Sequence, residues 1–523
     1  MAKRPTAPIP RRLTVRMYRD ILGDCFLIRA PKGDGTVAVL IDCGILQGTP
    51  AAAERAARIM TDVARETANH LDVLIVTHEH WDHVSGFGQA ADVFAEITVG
   101  ELWLAWTEDP RDEMARHLGE SRRRALAVVC RCHAAAVAMA SRSSDGDAEP
   151  EEEPPRNHGL SELLAFYGID AGSGTAALGP SLAAAARATT ATILDGLRAK
   201  AKSVRYFRPG VDPVPVAGLD DLRAFVLGPP RDESLLKRSD PRKGTGEVYQ
   251  LTGDGTDELF HLAALARSED GPTSAEVDLA LPFGKRLLLP TEPDPSPTSR
   301  TREEIEARAA HREVYLRPED EWRRIEQDWL MAGEQLALKL DNDTNNTSLA
   351  LAFEIGRGRD ARVMLFPGDA QVGNWLSWGD LKWTVTDADD RRREVGIEDL
   401  LARTVLYKVG HHGSDNATLR ERGLELMTHR DLVAMLPVEE TIARDPARRW
   451  NMPFPSLLAR LEEKTGRRIV RADRGVAELV EVARTRAGAP AELSREEWDR
   501  FLAALREISD ATGPLAIEYA LEM

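Results

Sequence analysis

The sequence predicts a mixed α/β protein in which two strand-rich segments flank a large, mostly helical insertion. Both strand-rich segments carry short apolar, β-branched runs bounded by glycine and proline, a pattern typical of strands. Residues 111–142 and 160–201 are instead rich in alanine and arginine at helical spacing. A chain of 523 residues also exceeds one ordinary domain, so we expect a large core with added segments.

The first strand-rich segment begins with a hairpin and continues into a helix. Apolar runs predict strands over residues 13–19, 23–28 and 37–41. Residues 32–35, Lys-Gly-Asp-Gly, supply the turn between the second and third strands. The third strand ends in the triplet Asp-Cys-Gly at 42–44, where glycine permits a tight exit from the strand. Residues 51–70 then show the spacing of a helix.

The most informative stretch, residues 71–86, is a buried strand followed by four candidate metal ligands. These ligands are His78, His80, Asp82 and His83. Alternate side chains of an extended segment share a face, and a helix that begins at Trp81 would bring the last two ligands beside the first two. Imidazole and carboxylate groups together suit zinc, manganese or iron. A polar loop with incidental histidines is the alternative, and four candidates within six residues count against it.

Two later strands also lead to candidate metal ligands. An apolar run over residues 362–366 leads to Asp369, and another over residues 404–409 leads to the pair His411-His412. Neighbouring residues of an extended segment point to different sides, so only one histidine of the pair is expected to be a ligand. We favour His411 as the ligand and His412 as a contact to the substrate or leaving group.

These segments divide the chain into four parts. The expected parts are two core halves at 13–110 and 331–480, an insertion at 111–330 and a terminal helix within 481–523. Inside the insertion, residues 143–155 are rich in serine, acidic residues and proline, which predicts an exposed loop or linker. Residues 494–508 have the spacing of an amphipathic helix that packs on the outside of the core.

Composition and charge indicate a soluble protein without a large basic surface. The formal net charge of −17 argues against a generic nucleic-acid surface, because affinity for phosphate backbones rests mainly on Lys and Arg. No apolar run approaches the roughly 20 residues that cross a bilayer, and the amino terminus lacks the apolar core of a secretion signal. Four cysteines are too few for a disulfide framework in a chain of this length. We therefore expect a cytoplasmic protein with no membrane contact.

The motif His-x-His-x-Asp-His followed by glycine resembles the signature of the metallo-β-lactamase superfamily. The second half of the chain adds three motifs in order, which are Asn-Asn-x-Ser-Leu-x-Leu at 345–351, Phe-Pro-Gly-Asp at 366–369 and Lys-Val-Gly-His-His-Gly-Ser at 408–414. With Gly-Asp at 23–24 and the segment 451–466, they resemble the hydrolase domain of the DNA-internalisation competence protein ComEC. The resemblance covers roughly residues 13–100 and 338–480.

The resemblance implies a four-layer αββα sandwich with two divalent metal ions, zinc or manganese, at one edge of its sheets. It assigns one metal to His78 and His80. It assigns the other to Asp82, His83 and His411, with Asp369 as the bridging ligand. The middle histidine ligand of the superfamily has no obvious counterpart here, and Asn345 or Asn346 stands near its expected place.

The remaining expected site residues surround those ligands. We expect catalytic roles for Asp82 and His412. Asn346 and Ser414 are expected phosphate contacts, with structural turn roles equally open to both.

The leading expectation for function is a metal-dependent hydrolase, a phosphodiesterase or nuclease that cleaves DNA or RNA with a metal-activated water. A small-molecule hydrolase acting on a lactone, thioester or cyclic nucleotide is the alternative, and it suits the acidic composition. A third hypothesis is a binding module that has lost its metals, and the intact ligand set counts against it. The expected partners are nucleic acid as substrate and a regulatory protein that acts through the insertion.

Overall fold

The computed structural model describes residues 12–143, 158–169, 181–239, 326–386, 391–446, 448, 450–486 and 493–523. The acidic linker predicted at 143–155 lies outside these described residues except at its first position. Its predicted character, and its predicted role in partner binding, stay predictions.

Seventeen strands are present in the described residues. Their bounds are β1 Arg12–Tyr18, β2 Phe26–Lys32, β3 Gly35–Ile41, β4 His70–Ile75, β5 Thr98–Ala105, β6 Ala201–Phe207, β7 Val214–Pro215, β8 Leu222–Val226, β9 Leu351–Ile355, β10 Arg362–Phe366, β11 Lys382–Thr386, β12 Arg392–Gly396, β13 Thr404–Lys408, β14 Val433–Leu436, β15 Ile469–Arg471, β16 Leu505–Asp510 and β17 Gly513–Glu522.

The helices of the described residues are mostly short, with three long exceptions. Their bounds are α1 Ala52–Glu66, α2 Trp81–Gln89, α3 Ala91–Ala95, α4 Glu113–Ser143, α5 His158–Ala165, α6 Ser181–Lys200, α7 Glu233–Leu236, α8 Glu326–Asn345, α9 Val372–Leu376, α10 Ile397–Ala402, α11 Glu440–Ala443, α12 Pro455–Thr465, α13 Val476–Arg486 and α14 Arg495–Ala503. None of these helices combines the length and the apolar character needed to cross a bilayer.

The strands form two large sheets and one separate pair. The first sheet has eight strands in the order β16-β17-β1-β2-β3-β4-β5-β6, and the second has seven in the order β15-β14-β13-β10-β9-β8-β7. Strands β3 to β6 are parallel in the first sheet, and β10, β13, β14 and β15 are parallel in the second. Strands β11 and β12 pair only with each other. The protein is therefore a mixed α/β structure built on large sheets, as expected.

Apolar side chains lie on both faces of each sheet. Leu13, Val15 and Met17 alternate along β1 and share one apolar cluster with Phe353 and Phe366 of the second sheet. Other clusters join the first sheet to α1 and α2 and the second sheet to helices that include α8 and α12. Burying one Leu or Phe side chain contributes about 1.5–3 kcal/mol, so these faces supply most of the stabilisation.

The sheets bring the predicted ligand segments to one place. Strands β3 and β4 are parallel neighbours, and so are β10 and β13. Because the carboxyl ends of parallel strands meet at the same sheet edge, the segments after residues 41, 75, 366 and 408 emerge close together. Those segments contain the ligand candidates of both halves of the chain.

The predicted terminal helix is shorter than expected, and two strands follow it. Helix α14 begins with a capping box between Ser494 and Glu497 and ends at Ala503, so the helix prediction for 494–508 holds only in part. Residues 505–510 and 513–522 are instead strands β16 and β17. The prediction was wrong there because β17 pairs with β1, a contact across about 500 residues that local spacing does not reveal.

The predicted insertion contains strands as well as helices. Its helices include α4, α5 and α6. Residues 201–207 and 222–226, where the sequence allowed strands, are β6 and β8, and they pair with β5 and β9. Residues 201–226 therefore belong to the sheets rather than to an added segment.

A buried ion network fastens β17 to the rest of the first sheet. Arg16 of β1 is 1% exposed and donates to Glu518 of β17 at 2.8 Å and to Asp62 of α1. Tyr18 also donates to Asp62, at 2.9 Å. One guanidinium thus neutralises carboxylates from a helix and from a distant strand.

We expect the substitution Arg16→Ala to destabilise the protein by about 1.5–3 kcal/mol, because Asp62 and Glu518 lose their shared buried partner and keep only the more exposed Arg65 and Arg29. Urea denaturation followed by circular dichroism measures the change. The control is Arg484→Ala, since the ion pair of Arg484 with Glu481 is solvent-exposed and its loss should leave the midpoint unchanged. Equal midpoints for Arg16→Ala and the unaltered protein would contradict the structural role of Arg16.

Candidate metal centre

The four ligand candidates of the first stretch lie in the turn between β4 and α2. Helix α2 begins at Trp81, which confirms the predicted helix start and places Asp82 and His83 in its first turn. His78 and His80 precede the helix, and His80 is its N-cap residue. All four side chains belong to residues that are at most 2% exposed.

Gly44 allows two parts of the site to approach closely. A Cβ atom on Gly44 would lie 2.0 Å from the carbonyl carbon of Asp82 and 2.2 Å from the amide nitrogen of His83. No other residue type fits there without moving the start of α2. The sequence predicted a tight exit at this glycine, and the structure gives close backbone contact as the stronger reason.

Asp42, at the end of β3, orients His83. Its carboxylate accepts from the amide of Thr77 at 2.8 Å and from the Thr77 hydroxyl at 2.7 Å. One of its oxygens lies 2.9 Å from Nδ1 of His83. The contact fixes the ring so that Nε2 faces the opposite side, where it meets Asp369 at 3.1 Å. A carboxylate behind a histidine is the usual support of a histidine that binds metal.

Asp369 occupies the centre of the site. It follows β10, and one carboxylate oxygen accepts from Nζ of Lys408 and from the amide of His411, each at 3.0 Å. Lys408 also forms an ion pair with Asp24. The ammonium group therefore bridges Asp24, which precedes β2 of the first sheet, and Asp369, which follows β10 of the second.

The charges of this cluster shift the pKa values of its members in opposite directions. Burial favours the neutral form of His83, but Asp369, Asp82 and Asp42 outweigh it and raise the pKa of His83 well above its ordinary value. Burial likewise favours the neutral acid of Asp369, but Lys408 and His83 hold its pKa well below the ordinary range. In the metal-free protein, His83 is thus an imidazolium between carboxylates.

His411 and His412 have different surroundings in the structure. Nε2 of His412 lies 3.0 Å from Asp82, while its Nδ1 donates to the carbonyl of Pro437 at 2.6 Å. The ring of His411 is instead engaged through Nδ1 by Ser414 at 2.9 Å. Both histidines have positive φ angles, 43° and 51°, so the segment is a tight turn rather than an extended strand. That turn directs His412 toward Asp82, and the assignment of His411 as the ligand stays a prediction.

His78 and His80 form a second half of the site. Nε2 of His78 lies 3.0 Å from Nδ1 of His80, so two ring nitrogens face a common point. Burial lowers the pKa of His80 to about 3 and that of His78 well below its ordinary value. Both imidazoles are therefore neutral at pH 7, which is the form that binds a metal.

The two expected phosphate contacts have different surroundings. The side-chain oxygen of Asn346 accepts from the amides of Gln371 and Asn374, and its nitrogen donates to the carbonyl of Arg238. These bonds give Asn346 the structural role that was left open. Ser414 contacts His411 and stays a candidate for substrate binding.

Two aromatic side chains that follow α5 cover the His80 side of the site. The rings of Phe166 and Tyr167 lie 5.5 and 5.3 Å from the His80 ring, measured between centroids. Phe166 also stacks on Trp450 at 5.4 Å, and its carbonyl accepts from the amide of Trp81 at 2.7 Å. The segment after α5 therefore helps to enclose the ligands.

The donor set fits a divalent metal ion. Ligand atoms that all lie within 4.8 Å of one another come from Asp82, His83, Asp369 and His412. Oδ1 of Asp82 is buried and has no hydrogen-bond partner in the described part of the chain, which is unfavourable unless a cation is bound. A second group of Asp24, Asp42 and His83 is also compact, but Lys408 and Thr77 already engage its carboxylates.

The comparison with known families agrees with this class of site. Residues 18–141 match the model of the metallo-beta-lactamase superfamily, and the mixed α/β structure with large sheets is consistent with that fold. Members of that superfamily are generally hydrolases that bind divalent metals, so the match indicates a metal-dependent hydrolase. A search of curated proteins finds no match. The matched region ends before the later motifs, and the resemblance to ComEC stays a prediction.

Two supporting residues of the centre were not predicted from the sequence. Asp42 belongs to the Asp-Cys-Gly triplet, in which the sequence indicates only a tight exit from a strand. Lys408 is the first residue of the Lys-Val-Gly-His-His-Gly-Ser motif, in which the histidines are the expected site residues. Asp42 directly follows β3 and Lys408 ends β13, and both strands border the site. These positions are the signal that could have identified the two residues.

We expect metal binding to release protons, because His83 must lose the proton that its raised pKa retains at pH 7. The apparent affinity should therefore rise as the pH is raised through the neutral range. Calorimetric titration of the metal-free protein with zinc, in two buffers of different ionisation enthalpy, measures the number of protons released. Identical heats in both buffers would contradict the imidazolium state of His83.

Proposed function

We propose that the protein is a metal-dependent phosphodiesterase or nuclease that cleaves DNA or RNA. The observation that carries the proposal is the compact, buried group of Asp82, His83, Asp369 and His412 beside the paired nitrogens of His78 and His80. Bound zinc or manganese would supply Lewis acidity that lowers the pKa of a water and stabilises charge on a phosphoryl oxygen.

The proposed fold is the four-layer αββα sandwich. One apolar cluster contains side chains of both sheets, and two further clusters join each sheet to helices. These clusters support the arrangement of two inner sheet layers and two outer helical layers. The helical residues from 111 onwards are proposed as an addition to it.

The residues of the centre divide into two proposed metal sites. His78 and His80 present neutral imidazole nitrogens to one site. Asp82, His83 and His412 would supply the other, and Asp369 contacts His83 of that set at 3.1 Å. Lys408 keeps Asp369 ionised, which suits a bridging carboxylate.

Phosphodiester chemistry is the leading proposal for the substrate. The motifs that carry the ComEC resemblance, around Asn346 and His411-His412-Gly-Ser414, favour phosphate over lactam or thioester substrates. The hydroxyl of Ser414 lies 2.9 Å from Nδ1 of His411 and donates to Oδ1 of Asn416 at 3.0 Å, so a phosphate oxygen would replace one of these contacts. Nucleic acid is accordingly the proposed partner.

A small-molecule hydrolase remains the second candidate, because one observation favours it. The ligand residues are almost completely buried, and Phe166 and Tyr167 enclose the His80 side. A small substrate enters such a site more easily than a duplex does. A regulatory protein that binds the insertion, and a cytoplasmic location, remain proposals from the sequence.

We expect the purified protein to bind two divalent ions and Asp369→Ala to bind fewer, because Asp369 is the proposed bridging ligand. Elemental analysis after dialysis measures the metal content. Asp380→Ala is the control, since Asp380 is an exposed carboxylate eleven residues further along the chain. Equal metal content in the unaltered protein and Asp369→Ala would refute the role of Asp369.

We expect cleavage of labelled single- or double-stranded DNA or RNA with manganese, magnesium or zinc, and at least about 100-fold slower cleavage by His80→Ala. The matched control is His70→Ala, because His70 lies at the opposite end of β4 and its side chain is 41% exposed. Nuclease activity that persists in His80→Ala would come from a contaminant. Turnover of lactone, thioester or cyclic-nucleotide substrates without nucleic-acid cleavage would favour the second candidate.

A further inference from the structure

Helix α8 places a carboxylate beside the metal centre that the ligand assignments do not use. Asp341 is 7% exposed, and its Oδ1 lies 3.6 Å from Nε2 of His80. Both atoms are buried, and neither has a hydrogen-bond partner among the described residues. Burying a carboxyl group with one oxygen unpartnered is costly, so the position of that oxygen beside an unpartnered ring nitrogen calls for an explanation.

The orientation of His80 shows what Asp341 can do. Nδ1 of His80 points to Nε2 of His78 at 3.0 Å, toward the proposed metal. Nε2 is on the other side of the ring and faces Asp341. A neutral imidazole that offers Nδ1 to a metal carries its proton on Nε2, and that N–H needs an acceptor.

The far side of Asp341 is already anchored. Its Oδ2 accepts from Nδ2 of Asn345 at 3.3 Å, one helical turn further along α8. Asn345 is fully buried and belongs to the Asn-Asn-x-Ser motif. This bond leaves Oδ1 as the oxygen that is directed to His80.

Asp341 is not placed as a direct ligand. Its Oδ1 faces Nε2 of His80, the ring nitrogen on the side away from His78. The 3.6 Å contact is longer than an N–H···O hydrogen bond, and such contacts in unliganded sites commonly tighten only when the ligand is bound. The geometry therefore favours a role through His80.

We propose that Asp341 is a positioning residue that accepts a hydrogen bond from Nε2–H of His80 and so fixes the tautomer in which Nδ1 faces the metal. The inference rests on the proposed metal centre. It also gives α8, which lies between the insertion and the second half of the core, a direct part in the site. Because the usual middle histidine has no counterpart, this half of the centre should depend strongly on such support.

The test compares full-length unaltered protein with Asp341→Ala, Asp341→Asn and the control Asp343→Asn. Asp343 is on the same helix, but it is partly exposed and pairs with Lys339 at 3.2 Å. Metal-free samples are titrated with zinc against a chromophoric chelator, and the electronic spectrum is recorded after loading with cobalt. Thermal unfolding of the metal-free samples reports on stability.

We expect Asp341→Ala to weaken one of the two zinc sites by about 10–100-fold and to change the cobalt spectrum, while the other site is unaffected. Asp341→Asn should lie between, since an amide oxygen still accepts from His80, and Asp343→Asn should match the unaltered protein. The melting temperature of metal-free Asp341→Ala should be equal or higher, because a buried carboxylate is removed. In a His80→Ala background, Asp341→Ala should add no further loss.

Two results would overturn the inference. One is an unchanged affinity and cobalt spectrum in Asp341→Ala. The other is a lower affinity that comes with a lower melting temperature of the metal-free variant. A loss of affinity that persists fully in the His80→Ala background would likewise mean a structural role. If the unaltered protein takes up no metal, the metal centre itself is refuted, and this is visible in that sample alone.

Discussion

The ion pairs of Lys408 are the interaction on which the candidate centre depends. Its ammonium group contacts Asp24, which precedes β2 of the first sheet, and Asp369, which follows β10 of the second. All three residues are at most 2% exposed, and unpaired buried charges of this kind would cost several kcal/mol each. Lys408 is the last residue of β13, so the end of that strand supplies the cation that pairs with a carboxylate from each sheet.

The crowding of carboxylates also affects the protonation of the histidines in the site. Asp24, Asp42, Asp82 and Asp369 surround His83, and they hold it as an imidazolium while no metal is bound. His78 and His80, only a few ångströms away, are kept neutral by burial. One short segment of chain therefore carries a histidine whose pKa is raised and two whose pKa values are lowered, because carboxylates outweigh the effect of burial only at His83.

The sequence predicted the ligand-bearing segments because their chemistry is local. Strand periodicity alone is enough to place these groups at one sheet edge. The groups are four ligands after a β-branched run, and a carboxylate and two histidines after later strands. The different surroundings of His411 and His412 could not be predicted, since they depend on positive φ angles and on the carbonyl of Pro437. Strands β16 and β17 and the contact of Asp341 with His80 also depend on partners far away in the chain.

The pairing of β17 with β1 has a consequence for how the protein is made. Residues 513–522 leave the ribosome after every ligand candidate, and about 500 residues after the strand beside which they pack. Until then β1 has a free backbone edge, and Arg16 lacks the carboxylate of Glu518. All the ligand candidates are therefore synthesised before the first sheet can be completed, and the edge of β1 stays open to other strands during that time.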